Sequence, residues 1–321
     1  MKLHQSMTIG SITIQNRLAM PPMQTNKTNN GHVTDELVAY YRERAKGSHP
    51  GIIITEHSCI SPNARASEKQ LSIATDDMIQ EHRRLTDAIH EGGSKAFVQL
   101  NHAGSTTIDE AVSASTVNIP SKPLSHKPRE LTIEEIKVIE QQFAAGAIRA
   151  IKAGYDGIEI HCAHAYLLNQ FYSPLTNKRK DQYGGTLENR LRFTLETVAC
   201  VRDIVGSVPL AVRLGGADYL PFGNSEQDAV EASMLLEQAG VDLLDISGGM
   251  CFFMRPGHLE PGYFSSMSKK IKEKVNIPVL LTGGIKKVKD AERLLEENKA
   301  DLIGVGRALM KDADWPEKNN D

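Results

Sequence analysis

Cysteine is scarce in this chain, long hydrophobic runs are missing, and the numbers of acidic and basic residues nearly balance. The 321 residues include only four cysteines, which are scattered and form no CxxC pair. Such spacing provides neither a zinc knuckle nor an iron–sulfur run. We therefore expect reduced thiols and no metal centre. The four are Cys59, Cys162, Cys200 and Cys251.

The chain also lacks a segment suited to a membrane. Its apolar runs, such as GIIIT at 51–55, are far shorter than the roughly 18 to 20 residues of a spanning helix. The first residues, MKLHQSMTIG, lack the apolar core of a secretory signal. With 37 basic and 40 acidic residues, the net charge of −3 favours neither nucleic acid nor an anionic membrane. We expect a cytoplasmic protein that acts on a small, uncharged or mildly polar molecule.

What the chain does contain is a series of short apolar segments of strand type, separated by stretches with helical periodicity. In one stretch Ile136, Ile139 and Phe143 fall on a single helical face. This alternation favours an α/β fold, a (β/α)8 barrel over residues 1–321 as one domain. A doubly wound open sheet is the alternative, but its usual GxGxxG turn after the first strand is missing. The predicted strands are 18–23, 51–57, 96–102, 157–163, 209–216, 243–249, 278–284 and 302–309.

Three further segments frame the predicted barrel. Residues 7–16, MTIGSITIQN, alternate apolar and polar side chains around a Gly-Ser pair, which predicts an N-terminal β-hairpin that closes the barrel floor. Residues 103–130 are rich in Ser, Thr and Pro without a clear period, so we expect a long loop after strand three. Thr132 and Glu135 form a capping-box pattern that predicts the start of a helix.

The carboxyl ends of the predicted strands carry polar residues and glycines, and barrel enzymes place their chemistry there. Gly283 and Gly284 follow the seventh strand, and Gly306 and Arg307 follow the eighth. Glycines let backbone N–H groups approach an anion, and arginine adds charge-assisted hydrogen bonds. This pattern predicts a site for a phosphate-bearing molecule; alternatively, the glycines only turn the chain. The other strand ends carry Gln99, His102, His161, His164, Arg213 and Ser247 to Gly249.

His161, His164 and Tyr166 lie within six positions at the end of the fourth predicted strand. Their HxxH spacing allows a metal site, although a metal needs three or four ligands and no HExxH motif occurs. Two buried structural histidines are a further alternative. We favour two neutral N–H donors for a substrate oxygen, with the phenol as proton donor. A phenol with a pKa of about 10 keeps its proton at neutral pH, yet can give it to a carbanion. This combination suits reduction of a polarised double bond.

Six longer motifs carry a resemblance to a known family. They are NRLAMPPM (16–23), FVQLNHAG (97–104), PRELTIEEI (128–136), GYDGIEIHCAHAYLLNQFYSP (154–174), NKRKDQYGGTLENRLRF (177–193) and ADLIGVGRALM (300–310). Together they resemble the Old Yellow Enzyme family of FMN-dependent oxidoreductases. The resemblance implies an FMN-binding (β/α)8 barrel with NADH or NADPH as electron donor. It also implies an enone-type small molecule as substrate, and a homodimer or homotetramer.

The resemblance implies roles for the matching residues. Gln99 would bond the pyrimidine edge of the flavin, and Arg213 would face its N1–O2 side. In the implied reaction, flavin N5 gives hydride to the β-carbon of an α,β-unsaturated carbonyl compound, and Tyr166 protonates the α-carbon. The other matches are Pro22, Met23, Gln24, His57 and Gly249 near the flavin, Gly283, Gly284, Gly306 and Arg307 at its phosphate, and His161 and His164 at the substrate carbonyl.

Several positions depart from the family's pattern. Gln24 stands where Thr or Cys is usual near flavin O4, and His57 stands where a small residue is usual beside the isoalloxazine. The His57 side chain either brings a titratable group into the pocket or turns to solvent. Ala165 replaces a glycine between the second histidine and the tyrosine, and Ser105 replaces a frequent arginine. Because only five residues follow Pro316, we expect either an abbreviated last barrel helix or a truncated chain.

Two other functions stay open at this point. An NAD(P)H oxidase or diaphorase, which passes electrons to oxygen, quinones or nitro compounds, needs no proton donor. A flavin-binding protein without efficient turnover would tolerate Gln24 and His57. The scattered cysteines do not supply the iron–sulfur cluster of larger relatives. Electrons are therefore expected to pass directly from the nicotinamide to FMN.

Overall fold

The computed structural model describes residues 1–120 and 127–315, and its central feature is a closed barrel of eight parallel strands. In spatial order the barrel strands are β3, β4, β5, β8, β9, β10, β11 and β12. Their bounds are Leu18–Met20, Ile52–Cys59, Lys95–Asn101, Gly157–Cys162, Leu210–Ala217, Leu243–Gly248, Val279–Thr282 and Leu302–Gly304. Since β12 pairs with β3, the barrel has no free edge. The predicted barrel is confirmed.

Helices follow the barrel strands and cover them. Their bounds are Asp35–Ala45 (α1), Met78–Glu91 (α2), Ile133–Lys152 (α3), Leu167–Tyr172 (α4), Leu187–Val205 (α5), Glu226–Gln238 (α6), Ser265–Lys272 (α7), Val288–Glu296 (α8) and Arg307–Lys311 (α9). Within the described residues, none of these helices combines the length and apolarity needed to cross a membrane. Helix α3 begins as predicted, because the Thr132 hydroxyl accepts from the Glu135 N–H and the Glu135 carboxylate accepts from the Thr132 N–H.

The N-terminal hairpin closes one end of the barrel, as the sequence predicts. Strands β1 (Met7–Ile9) and β2 (Ile12–Ile14) pair antiparallel, and Ile9 and Ile14 are completely buried. Both side chains pack in one cluster with Phe97 and other inward residues of the barrel strands. Each buried isoleucine contributes roughly 1.5 to 3 kcal/mol to stability. The floor is therefore a packed apolar layer, which leaves the opposite end of the barrel for chemistry.

Two segments differ in detail from the sequence-based expectations. The predicted strand 302–309 is a short strand followed by a helix, because β12 ends at Gly304 and α9 begins at Arg307. The loop 103–130 carries two short strands, β6 (Val112–Ser113) and β7 (Arg129–Glu130), which pair parallel. Part of that loop, residues 121–126, lies outside the described residues. So do residues 316–321, on which the expected abbreviated helix depends.

Candidate active site

The carboxyl ends of the barrel strands enclose a cavity of about 350 Å³. A wider groove of about 900 Å³ lies outside the barrel along α1, but charged side chains that pair with one another line much of it. The inner cavity brings together residues from distant parts of the sequence. The predicted site residues that line it are Pro22, Met23, Gln24, His57, Gln99, His161, His164, Tyr166, Arg213, Gly283, Gly284, Gly306 and Arg307.

Gly249 is the predicted site residue that lies away from this cavity lining in the described part of the chain. Its N–H donates to the Ala217 carbonyl at 2.9 Å. A Cβ added there would come within 2.3 Å of the Asp218 carboxylate. Gly249 therefore allows two loops above neighbouring strands to pack closely.

A left-handed turn places the three predicted catalytic residues. His161 is the penultimate residue of β8 and its side chain lines the cavity, and the turn after the strand has φ of 57° at His164 and 60° at Ala165. Two consecutive non-glycine residues in this region cost on the order of 1 to 2 kcal/mol each. The Asn169 side chain holds the turn by accepting from the Ala165 N–H at 2.8 Å. The backbone thus keeps the turn although alanine replaces the family's glycine.

The imidazoles and the phenol of this turn are in direct ring contact. The ring centroid of His161 lies 5.1 Å from that of His164 and 5.0 Å from that of Tyr166. The Nδ1 atom of His161 is buried without a hydrogen-bond partner in the described residues, so Nε2 is the nitrogen that reaches the cavity. His164 Nε2 lies 2.7 Å from the Ser247 hydroxyl on β10.

Burial sets the protonation states of this cluster. It lowers the pKa of His161 and of His164 well below the ordinary value, and the nearby Arg213 charge acts in the same direction. Burial also raises the pKa of Tyr166 to about 12. At neutral pH the site therefore presents uncharged imidazoles and a phenol that keeps its proton.

A row of buried polar side chains lies below these rings. Strand register places Arg213 between His161 and Asp245, and the Arg213 Nε lies 3.1 Å from the Asp245 carboxylate. Gln99 Nε2 donates to Glu159 at 2.9 Å. Burial raises the pKa of Asp245 to about 6, although the Arg213 charge lowers it. Burial also raises the pKa of Glu159 well above its usual value. Glu159 therefore carries a proton, while Asp245 pairs with the guanidinium.

The strand ends also show whether a flavin phosphate fits. Gly284 has φ of 67°, and a Cβ there would lie 2.9 Å from the Tyr263 ring. At Gly306 a Cβ would lie 2.8 Å from Met23 Sδ. The left-handed backbone at Gly284 requires glycine, and a side chain at Gly306 would displace Met23, so the two glycines leave the backbone uncovered toward the cavity. The exposed Arg307 adds a cation beside them.

Other residues that line the cavity suit the pyrimidine edge of a flavin, where N–H and C=O groups alternate. Because Gln99 Nε2 is used by Glu159, the Gln99 Oε1 is left as an acceptor. Arg213 lines the cavity as a donor, and Thr282 Oγ1 is buried without a hydrogen-bond partner in the described residues. Acceptor, donor and phosphate cradle thus match the polar groups of FMN.

The structure also places the departures from the family pattern. His57 is buried in the cavity wall with 7% of its surface exposed, so the alternative in which it turns to solvent is wrong. Burial and the Arg213 charge lower the pKa of His57 to about 4. Gln24 lines the cavity and donates to Ser67 Oγ at 2.9 Å. Ser105 is buried, and its N–H donates to the Gln170 side chain.

Some lining residues were not predicted from the sequence. Phe253 and Tyr263 come from the loop after β10, which has no recognisable motif, and the Tyr263 hydroxyl donates to the Phe253 carbonyl at 2.6 Å. Tyr219, after β9, lies outside the cavity lining and stacks on Phe264, with the ring centroids 5.9 Å apart. Phe222 is 94% exposed. The Gly283–Gly284 pair that follows Thr282 could have indicated from the sequence that Thr282 also lines the cavity.

The fold and site together define a barrel oxidoreductase of the flavin-dependent class. The family that matches residues 2–321 is the NADH:flavin oxidoreductase / NADH oxidase family, and the chain belongs to it. The chain is 39% identical over 321 residues to an NADH oxidase of Thermoanaerobacter brockii, covering 97% of this chain and 49% of that protein. It is 39% identical over 319 residues to a metal reductase of Desulforamulus reducens, and the match covers 97% of this chain and 47% of that protein. The chain thus spans about half the length of these relatives.

Solved structures agree with this assignment. A 2-naphthoyl-CoA reductase complex superimposes with a TM-score of 0.90 at 27% identity, covering 99% of this chain and 52% of that one. Morphinone reductase bound to tetrahydroNAD gives a TM-score of 0.87 at 27% identity, and the match covers 99% of this chain and 90% of that one. The Old Yellow Enzyme homologue of Zymomonas mobilis gives 0.86 at 26% identity, covering 99% and 92%. The resemblance to the Old Yellow Enzyme family is confirmed.

Proposed function

We propose that this chain, as a single FMN-binding barrel domain, is an NAD(P)H-dependent reductase of the activated C=C bond in α,β-unsaturated carbonyl compounds. The observation that carries the proposal is that the neutral His161 contacts both the neutral His164 and the protonated Tyr166 in one cavity. Hydrogen-bond donors for an oxygen and a proton donor for a carbon are what this reduction requires.

FMN would be held by the residues that fit it. Gly284, Gly306 and Arg307 would bind the phosphate, while Gln99 and Arg213 would bind the pyrimidine edge. When bound, FMN supplies the chemistry that the side chains lack, namely transfer of a hydride taken from NADH or NADPH. Arg213 would place a positive charge at that edge, and its ion pair with the buried Asp245 holds the guanidinium in position.

The chain's own residues act on the substrate. His161 and His164 donate hydrogen bonds to the carbonyl oxygen and stabilise the negative charge that develops there. In a buried site, each such donor contributes roughly 2.7 to 4 kcal/mol to transition-state stabilisation. Tyr166 then gives its proton to the α-carbon and regains one from solvent. The low pKa of the histidines keeps them uncharged, so Tyr166 rather than an imidazolium is the acid.

A second candidate function has its own support. The two relatives at 39% identity are named NADH oxidase and metal reductase, which are activities that pass electrons to oxygen or to metal ions. Neither acceptor needs a proton donor on carbon. In this alternative, Tyr166 would be dispensable.

The experiment that separates these functions is an anaerobic visible spectrum of the purified, FMN-reconstituted protein. We expect the flavin absorbance to bleach with NADH or NADPH and to return on addition of cyclohexenone. Return with oxygen, a quinone or ferric citrate, but not with the enone, would support the second candidate instead. Absence of flavin absorbance after reconstitution would contradict the assigned phosphate cradle.

The phosphate cradle gives a separate prediction. Replacing Arg307 by glutamine removes a charge-assisted hydrogen bond of about 1.5 to 3 kcal/mol, so the Kd for FMN is expected to rise about 10- to 100-fold. Fluorescence titration of the apoprotein with FMN measures this change. Lys311→Gln, an exposed cation at the end of the same helix, is the matched control and should bind FMN like the wild type. Equal affinities for all three proteins would place the phosphate elsewhere.

A further inference from the structure

Arg44 is a buried arginine near the end of α1, outside the inner cavity. Its side chain lies in the wall of the outer groove along α1, and 6% of the residue's surface is exposed. Among the described residues, the carboxylate within ion-pair distance is that of Glu43, which is largely exposed and therefore contributes little. A buried cation needs other acceptors to compensate for its lost hydration. For Arg44 these acceptors are backbone carbonyls.

The Arg44 guanidinium holds the C-terminal end of α9. Its Nε donates to the Leu309 carbonyl at 3.0 Å, and its Nη2 donates to the Met310 carbonyl at 2.9 Å. Both carbonyls belong to the last turn of α9, where carbonyl groups have no partner within the helix. The remaining nitrogen, Nη1, donates to the Tyr40 carbonyl of α1 at 2.9 Å. One planar group thus joins α1 to α9.

The ring of Tyr40 fixes the orientation of this guanidinium. The central carbon of the guanidinium lies 3.5 Å from the centroid of the ring, and Tyr40 is itself buried. Stacking on an aromatic face keeps the donors of arginine in one plane and limits the directions in which they point. A lysine at position 44 would supply the charge but not the planar set of donors.

Helix α9 depends on such contacts because it is short. It has five residues, and helices of this length do not persist in isolation. Gly306 and Arg307, at its start, line the inner cavity and form part of the proposed phosphate cradle. The start of the helix is only about 6 Å from its end, at 1.5 Å per residue. A shift of the end that Arg44 holds would therefore displace the cradle.

We propose that Arg44 is a positioning residue for the FMN phosphate: it anchors the last turn of α9 and thereby keeps Gly306 and Arg307 in place at the cradle. This inference rests on the FMN site proposed above, but not on the acceptor that the reduced flavin serves. Arg44 is not among the residues that line the inner cavity, so it acts through α9. Loss of the anchor should weaken binding of the phosphate and leave binding of the flavin ring unchanged.

The test compares FMN with riboflavin, which has the same ring system but no phosphate. Fluorescence titration of the apoprotein gives both Kd values, and the Kd for riboflavin divided by that for FMN measures the phosphate contribution. Arg44→Met keeps most of the side-chain length and loses all its donors. We expect the Kd for FMN to rise about 10-fold and that for riboflavin to change less than about 2-fold. A smaller folded fraction would weaken both ligands equally and leave the ratio unchanged.

Arg44→Lys separates position from charge. It keeps the charge, but one ammonium group cannot reproduce the planar donors that serve Leu309 and Met310. We expect the ratio to fall about 3- to 10-fold, and this milder variant decides the question if Arg44→Met does not fold. Arg42→Gln is the matched control, because Arg42 is an exposed arginine of the same helix that pairs with Glu91 at 3.0 Å. It should bind both flavins like the wild type.

The possible outcomes are distinct. A wild-type ratio in Arg44→Lys would overturn the inference, since any effect of Arg44→Met would then come from the lost charge. An equal fall in Arg42→Gln would overturn it as well. If the wild type binds FMN no more tightly than riboflavin, the proposed cradle fails and the inference with it. If the wild type binds FMN but does not reduce the enone, only the proposed reaction fails, and the ratio still decides the role of Arg44.

Discussion

Replacing Tyr166 by phenylalanine is expected to slow reoxidation of the reduced enzyme by cyclohexenone by about 100- to 10,000-fold, which is the usual contribution of general acid catalysis. Phenylalanine keeps the ring contacts with His57 and His161 but has no proton to give to the α-carbon. Reduction of the flavin by NADPH or NADH should stay close to the wild-type rate. Anaerobic stopped-flow absorbance measures the two half-reactions separately.

Tyr183→Phe is the matched control for this experiment. Its hydroxyl donates to Glu196 at 2.8 Å, away from the cavity lining, so its loss should change neither half-reaction appreciably. Because the pKa of Tyr166 is about 12, the wild-type rate should also show no loss from ionisation of this group up to about pH 10. An undiminished rate in Tyr166→Phe with flavin bound would assign the proton to another donor and favour the oxidase alternative.

The second large effect concerns stability at acidic pH. His82 is completely buried between α2 and the barrel, where Nε2 donates to the Ser72 carbonyl at 2.8 Å and Nδ1 accepts from the Tyr155 hydroxyl at 2.9 Å. Burial lowers its pKa to about 4. The folded protein therefore keeps His82 neutral while the unfolded chain binds a proton below about pH 6.5.

This difference has a definite sign. The contribution of neutral His82 to the free energy of unfolding is fully present above about pH 6.5. It is lost as pH falls toward 4, and the loss amounts to roughly 3 kcal/mol in total. Buried carboxyls with a raised pKa, such as Glu56 at about 7, act in the opposite direction, so the total slope is a difference of several groups. The effect of one histidine is therefore isolated by comparing variants.

Between pH 7 and 4, we expect the free energy of unfolding to fall by about 3 kcal/mol less in His82→Gln than in the wild type. The glutamine amide can still donate to Ser72, which limits the change at pH 7. Urea unfolding at a series of pH values gives the two curves, and His4→Gln at the exposed N-terminal turn is the control. Parallel curves for the wild type and His82→Gln would show that His82 titrates alike in both states.

The parts of the fold that repeat along the chain could be predicted from the sequence. Eight apolar segments with glycines and polar residues at their ends specify the barrel and the edge at which the site forms. The hairpin and the Thr132 cap follow from local patterns. Apart from Gly249, the predicted site residues line one cavity because parallel strands in a closed barrel all end at one rim.

Features that depend on register and side-chain direction could not be predicted. The pairing of Gln99 with Glu159 and of Arg213 with Asp245 follows from strand register, which no local motif records. The inward position of His57 depends on Gln70, thirteen residues away. Gly249 lies outside the cavity lining because its role is loop packing, which sequence spacing does not distinguish from ligand contact.

The closed floor of the barrel determines how ligands reach the proposed flavin site. With Ile9 and Ile14 filling one end, the described residues leave the cavity at the carboxyl ends of the strands as the place where ligands enter and leave. A nicotinamide and an enone that use the same small cavity must then occupy it in turn, so the first product has to leave before the second reactant can enter. Steady-state kinetics should therefore give parallel double-reciprocal lines, with inhibition by an excess of either reactant.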